Sequence, residues 1–293
     1  MTTPTTAPTL PDVRDGLTTI ERITVRAVAS ARGDEHTRSS RTVAQATRRE
    51  PHYPAAELYA TLTRLAQPWN TPYPLIDGSG DFGTAEGAPA AGATVTHAAL
   101  SAAGQALIDE LELPEDDPGQ RLHLKASGQV LPGPFPHLLA NGSTVGDSTF
   151  LPHHVGEVAA AITHRLQHPT STLADIRALV HGPEFATPAA VVDPAQLDAI
   201  YETGRGSLRI RPDGDTDEIT IDVDATAMVD GRPKQLSLLD QIDEYLEHRR
   251  SVLRRKHRKH ESALDKIIAH DLSELAEQFA ADRRTTISGG SPA

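Results

Sequence analysis

Three leucines set seven residues apart, Leu239, Leu246 and Leu253, constrain the fold more than any other feature of this sequence. Ile242 and Tyr245 fill the seam between them. The spacing predicts one long helix over Leu236 to Ile268 with an apolar stripe toward a partner. Past Leu253 the stripe gives way to Arg-Arg-Lys-His-Arg-Lys-His (254–260), which reads as a helix leaving its core for solvent. The basic run Arg249 to Lys259 has two readings, a nucleic-acid patch or the solvated face of an arm. Cations near a helix C-terminus suit the dipole, and the charge pattern favours the arm. A second helical piece, Leu272 to Phe279, precedes a polar tail.

Elsewhere short helical and extended patterns alternate. Leu58, Leu62 and Leu65 predict a helix over Ala55 to Gln67, with Pro54 at its start and Pro68 ending it. Thr71 to Gly83 is too dense in turn formers to be regular. Leu100, Leu107 and Leu111 predict a helix from Thr96 to Leu111, and the acidic, Pro-containing Glu112 to Gly119 marks a boundary. Leu122 to Val130 alternates like a strand, Leu131 to Pro152 is loop-rich, and Val155 to Gln167 is helical. Leu208 to Arg211 and Ile219 to Val223 predict two strands joined by a Pro212-Asp-Gly-Asp turn.

Composition narrows the chemistry. Aromatics are only 4% of 293 residues, so the core rests on Ala, Leu, Val and Ile. A net charge of −12 gives no global attraction for a polyanion, and a nucleic-acid role needs a local basic face. Without cysteine there are no disulfides, thiolate metal sites or Cys nucleophile. No apolar run reaches membrane-spanning length. Met1 to Leu10 lacks signal-peptide architecture, so cytoplasmic residence is the expectation, with association with the nucleoid open.

The fourteen histidines form no ligand grouping. His153 and His154 are adjacent and point apart, and His257 and His260 sit among cations. Acidic clusters at Glu115 to Asp117 and Asp213 to Glu218 read as solvated loops. Gly78, Gly80 and Gly83 lie in a Pro-rich segment rather than between strand and helix, which removes a dinucleotide reading. A basic set, Arg38-Ser-Ser-Arg41 with Arg48-Arg49, lies around a short helical stretch. Phosphate contact and a solvated helix face are equally open there.

The order of short motifs resolves this. Leu10-Pro-Asp-Val-Arg-Asp-Gly-Leu17, Ser39-Ser-Arg-Thr-Val43, Arg64-Leu-Ala-Gln-Pro68 and Tyr73-Pro-Leu-Ile-Asp-Gly-Ser-Gly-Asp-Phe-Gly83 occur in series. Phe135 to Ser143, Pro152 to Val158, His181 to Phe185, Tyr201 to Gly206 and Asp282 to Ile287 continue it. The whole series resembles the A subunit of bacterial DNA gyrase and topoisomerase IV, type IIA topoisomerases. That resemblance implies an α+β fold: a winged-helix-type DNA-gate domain over 11–118 and a reduced tower-like domain with a small antiparallel sheet over 119–235. A short coiled-coil helical hairpin over 236–286 would follow, between tails at 1–10 and 287–293. Most of the tower is missing between Ile221 and Met228. The outer arm and exit gate are missing between Ile268 and Leu272, which puts the tight turn near His270-Asp271.

The family cuts DNA with a tyrosine preceded by an arginine. Counting from Gly83 through Gly87 places that Arg-Tyr-Thr on Thr94-Val95-Thr96. The family's Tyr-His-Pro-His-Gly-Asp falls on Glu50-Pro-His-Tyr-Pro-Ala55, leaving only a displaced His52. The loop before Pro152 is also shortened where a DNA-bending isoleucine stands in the family. Thr94 or Thr96 makes a poor substitute, because an aliphatic hydroxyl leaves less readily than a phenol and no activating base is visible. No catalytic residue is therefore expected. Arg14, Arg41, Arg48 and Arg49 are the expected phosphate contacts. The resemblance implies a catalytically degenerate homologue, with duplex DNA as partner and a regulatory or structural role. It also implies a homodimer, or pairing with topoisomerase A or B subunits. The alternative is a working A subunit that functions with a B-subunit partner. ATP would belong to the B subunit, and no cofactor is expected in this chain.

Overall fold

The structure, a computed structural model, describes residues 10–11, 17–31, 36–68, 70, 74–84, 87–101, 104–105, 144–145, 148–185, 189–212, 218–257, 260–278 and 286–289. Helices and small sheets intermix throughout them, giving an α+β chain. At the N-terminal end, α1 (Thr19–Ala29) starts at a capping box. The Thr18 hydroxyl accepts from the Glu21 N–H, and the Glu21 carboxylate accepts from the Thr18 N–H at 2.7 Å. The other Glu21 oxygen takes Arg64 of α3 (Ala55–Ala66), tying α1 to α3. Between them runs α2 (Ser39–Arg49), which buries Ser39, Thr42, Val43 and Ala46 and turns its arginines outward. Leu62, Leu65, Ile76 and Phe82 close a core over Val25 and Val28.

This core is completed by a sheet that the sequence pattern did not reveal. β1 (Thr37–Arg38) and β2 (Ile76–Ser79) flank β3 (His97–Leu100), all antiparallel. The helix expected over Thr96 to Leu111 therefore begins as a strand, and the stretch expected to be irregular over 71–83 contains one. Ala98 and Ala99 are buried on opposite sides of β3, a short apolar run that pairing on both edges favours over a helix. In β2 the glycine has a packing reason: a Cβ on Gly78 would lie 2.7 Å from the Phe82 ring, which folds back over it. Leu107, Leu111, the acidic break at 112–119 and the strand expected at 122–130 lie outside the described residues.

Farther along, β4 (Thr144–Val145), β5 (Ser148–His153) and, later, β6 (Pro183–Phe185) form a small sheet where 131–152 was expected to be loop-rich. Helices α4 (Val155–Gln167) and α5 (Leu173–Arg177) follow β5. After β6 come β7 (Ala189–Val192), α6 (Pro194–Thr203) and the β8 (Arg205–Pro212) and β9 (Ile219–Asp224) pair, in register from Arg205–Asp224 to Ile210–Ile219. Ala225 alone separates β9 from a hairpin of β10 (Thr226–Val229) and β11 (Arg232–Gln235).

The leucine-spaced helix, α7 (Leu238–His257), buries Ile242, Tyr245, Leu246 and Leu253 as its pattern requires. It then stops. The turn expected near His270-Asp271 lies instead between His257 and Glu261, where α8 (Glu261–Gln278) begins and runs straight through His270, Asp271 and Leu272. The His260 carbonyl accepts from the Ala263 and Leu264 N–H groups and starts α8. Leu253 packs with Leu264, Ile268 and Leu272 of α8, and both helices share one core with α4 and α6, while Arg254 just beyond Leu253 is exposed, as the loss of the apolar stripe requires. Arg249 and Arg250, expected within a patch or a solvated face, clamp the hairpin. Arg250 Nε donates to Asp265 at 2.7 Å, and Arg249, only 4% exposed, faces Asp271 at 3.7 Å. Burial pushes the Asp271 carboxyl up, against the pull of Arg249. A last strand, β12 (Thr286–Gly289), lies parallel to β7 at the edge of the β12-β7-β8-β9 sheet.

Two outcomes test this fold. Leu264 is fully buried between α7 and α8, so Leu264→Ala should cost about 2–5 kcal/mol in urea unfolding. Asp224 is held below the usual carboxylate range first by the Thr226 hydroxyl, then by its backbone N–H and Arg205. A lowered folded pKa stabilises above the unfolded value and loses that contribution as pH falls. The stability gap between wild type and Asp224→Asn should thus be widest at neutral pH and close as pH falls below the ordinary carboxylate value.

Candidate functional site

The N-terminus of α2 has no side-chain cap of its own. Its first N–H groups are satisfied by the loop before β3: Ser39 donates to the Thr96 carbonyl at 3.0 Å and Ser40 to the Ala93 carbonyl at 2.8 Å. Hydroxyls lock the same junction. Tyr59 donates to the Ala91 carbonyl at 2.5 Å and lies 2.9 Å from the Thr96 hydroxyl, which bonds Ser39 Oγ at 2.9 Å. Helix α2, helix α3 and the 91–96 loop thus form one unit. Its tip is a tight turn, the Val95 N–H donating to the Gly92 carbonyl, and it holds the Val95 side chain 63% exposed.

Among the described residues no tyrosine is exposed near the tip. Among the described residues, Tyr53, Tyr201 and Tyr245 are buried and Tyr59 is half-buried in the junction; Tyr73 lies outside them. Burial pushes the Tyr53 phenol up, and Glu50 and Glu57 push it further, so it stays protonated. Thr96 is fully buried with its hydroxyl engaged, while Thr94 is exposed. His52 is exposed, beside the Tyr53 ring and 3.7 Å from Glu50.

Beside this tip opens a cleft of about 690 Å³ lined by Ala31, His36, Thr37, Arg38, Ser40, Arg41 and His97. Neither Arg38 nor Arg41 has a carboxylate partner among the described residues, whereas His36 Nε2 lies 3.2 Å from Asp77. Helical geometry puts Arg41, Arg48 and Arg49 within an arc of about 100° on the solvent side of α2. Arg48 donates to the Ala44 carbonyl and Arg49 to Ser30 Oγ, both contacts that leave guanidinium donors free. Three of the four arginines expected from sequence therefore share a face, and Arg14 lies outside the described residues. His36 and His97 were missed. Their signal was a strand pairing, Arg38 opposite His97, that no local periodicity carries. Such a face can grip phosphates through guanidinium forks and hydroxyls but offers no nucleophile.

Comparison with known proteins agrees with the motif series. Residues 9–223 match the family model for the A subunit of DNA gyrase/topoisomerase IV. The DNA gyrase A subunit of Haloquadratum walsbyi is 31% identical over 84% of this chain and 38% of its own length. The DNA topoisomerase 4 A subunit of Rickettsia conorii is 35% identical over 72% of this chain and 30% of its own. The DNA gyrase A subunit of Mycobacterium bovis is 36% identical over 69% and 26%. The chain thus spans about a third of the length of the curated relatives it matches.

If the junction sets the tip, removing its central hydroxyl should loosen it. Thr96→Val leaves Ser39 Oγ without its buried partner and should cost about 1–3 kcal/mol in urea unfolding. Val95→Tyr, at an exposed site, should change stability by no more than about 0.5 kcal/mol.

Proposed function

Because this chain belongs to the family of DNA gyrase/topoisomerase IV A subunits, we propose that it is a DNA-gate homologue that holds duplex DNA without cutting it. The observation that carries this reading is Val95, an exposed hydrocarbon at the tip of a loop that Ser40 of the basic helix holds at Ala93, with Arg38 and Arg41 without carboxylate partners among the described residues. Strand scission needs an ionisable hydroxyl at that point and positive charge next to it, and Thr94 and Val95 supply neither. Phosphate contact needs only guanidinium forks in fixed geometry, which Arg41, Arg48 and Arg49 supply, with Arg14 joining them.

In this reading α1 to α3 with the β1-β3-β2 sheet are the winged-helix-type gate. The sheets that follow are the reduced tower-like part, and α7 with α8 is the shortened coiled-coil arm, without an exit gate. The role is regulatory or structural, exercised on DNA as a homodimer or through pairing with topoisomerase A or B subunits. No helix among the described residues is long and apolar enough to cross a membrane. The expected residence is the cytoplasm, with association with the nucleoid open.

Two measurements test the proposal. Supercoiled plasmid incubated with this chain and a B subunit, then quenched with detergent, should yield no linear DNA; a covalent protein–DNA adduct would overturn the non-cleaving reading. In gel shifts over a salt series, Arg41→Glu with Arg48→Glu should weaken binding to all sequences. It should also flatten the log–log salt slope by about 2, and an unchanged slope would remove these arginines from the interface.

A further inference from the structure

We infer that the end of the α7–α8 hairpin is a second contact for duplex DNA, indifferent to base sequence and separate from the arginine face of α2. The inference goes beyond the reading above and stands on other residues. Arg-Arg-Lys-His-Arg-Lys-His occupies 254–260, five lysines and arginines with two histidines and nothing between them. Helix α7 runs through the first four to His257, and α8 begins at Glu261. Among the described residues the last buried side chain of α7 is Leu253 and the first of α8 is Leu264, while Arg254 and His260 are exposed. The run therefore begins where the shared core ends. About 3.6 residues close a helical turn. Arg254 to His257 thus place a basic residue on every side of the last turn of α7, whichever way that turn faces.

A helix end accounts for exposure but not for this density of charge. The C-terminal dipole amounts to about half an elementary charge, which one or two cations answer, and like charges four apart on a helix repel. The first acids of α8 are engaged inside the hairpin: Glu261 and Asp265 lie 3.8 and 2.7 Å from Arg250. Those pairs brace the two helices that carry the run. Its composition then selects the ligand. With no aromatic residue it has nothing to stack on unpaired bases, and with no apolar one nothing to insert into a bilayer. What it has is charge and guanidinium forks, which grip phosphates without base preference. A cation at nearly every residue, about 1.5 Å of helix rise apart, also matches a duplex, with about one phosphate per 1.7 Å of axis. In a chain of net −12 the attraction is local to this end.

The experiment measures the affinity of the full chain for a fluorescent duplex over a salt series, with urea unfolding of every variant. The triple variant Arg254→Gln, Arg255→Gln and Lys256→Gln should flatten the log–log salt slope by about 2 to 3, at about 0.9 per lost contact. Its affinity should fall equally on duplexes of different sequence. Its unfolding midpoint should hold or rise, because like charges have been removed. Arg254→Lys with Arg255→Lys keeps the charge and should keep the wild-type slope. Combined with Arg41→Glu and Arg48→Glu, the triple variant should flatten the slope by the sum of the two effects. A wild-type slope in the triple variant would overturn the inference, whatever its unfolding midpoint. Polyglutamate or phosphatidylserine vesicles that displace the duplex as strongly, charge for charge, would overturn DNA as the occupant. If only the α2 substitutions change the slope, this inference falls and the DNA-holding face of α2 stands; if only the triple variant does, the reverse holds.

Discussion

The candidate site depends on one exchange of hydrogen bonds. A helix whose first turn carries no capping side chain must find acceptors elsewhere, and α2 finds them in the carbonyls of Ala93 and Thr96. That requirement fixes the 91–96 loop against the basic helix, and the Tyr59, Thr96 and Ser39 hydroxyls make the fit specific. The loop tip and the arginine face therefore cannot move independently. Whatever side chain stands at residue 95 is thereby held at the tip of a loop fastened to the basic helix.

Charge is managed by distribution. The chain carries a net −12, yet α2 presents its arginines on one face, and among the described residues no acid lies at ion-pair distance from Arg38 or Arg41. Two basic residues of α7 behave in the opposite way. Arg249 and Arg250 are consumed by Asp271 and Asp265 of α8, where burial makes the pairing structural. Equal local runs of arginine thus serve different ends, and the difference lies wholly in what the rest of the chain brings against them. A cation paired inside a hairpin is held by its carboxylate, while one on the exposed face of α2 keeps donors that face solvent.

Much of the helical architecture was legible from apolar spacing. The reading of Ala55 to Gln67 matches α3 and that of Val155 to Gln167 matches α4, and the leucine seam marks the buried side of α7. The paired strands flanking the Pro212 turn were legible too, because strict alternation over several residues has few other outlets. The short strands β2, β3 and β5 were not, since Ile-Asp-Gly-Ser, His-Ala-Ala-Leu and Ser-Thr-Phe-Leu-Pro-His are too short and mixed to carry a dominant period. The boundary between α7 and α8 was missed because the cationic stretch past Leu253 has no apolar period to mark it, and the partners of Arg249 and Arg250 come only from α8.

By itself the sequence determined the family, through the order of its motifs, and the identities at residues 94 to 96, which decide what chemistry a side chain there can offer. Which of those side chains meets solvent was decided only by the tertiary structure, which buries Thr96 in the α2 junction and leaves Val95 at the tip. It also decided which arginines remain available and which histidines join them. The physical reason is that reactivity at a residue is local covalent chemistry, whereas burial, pairing and proximity come from segments distant in the chain. Arg38 and His97, or Arg250 and Asp265, become neighbours only when strands register and helices pack.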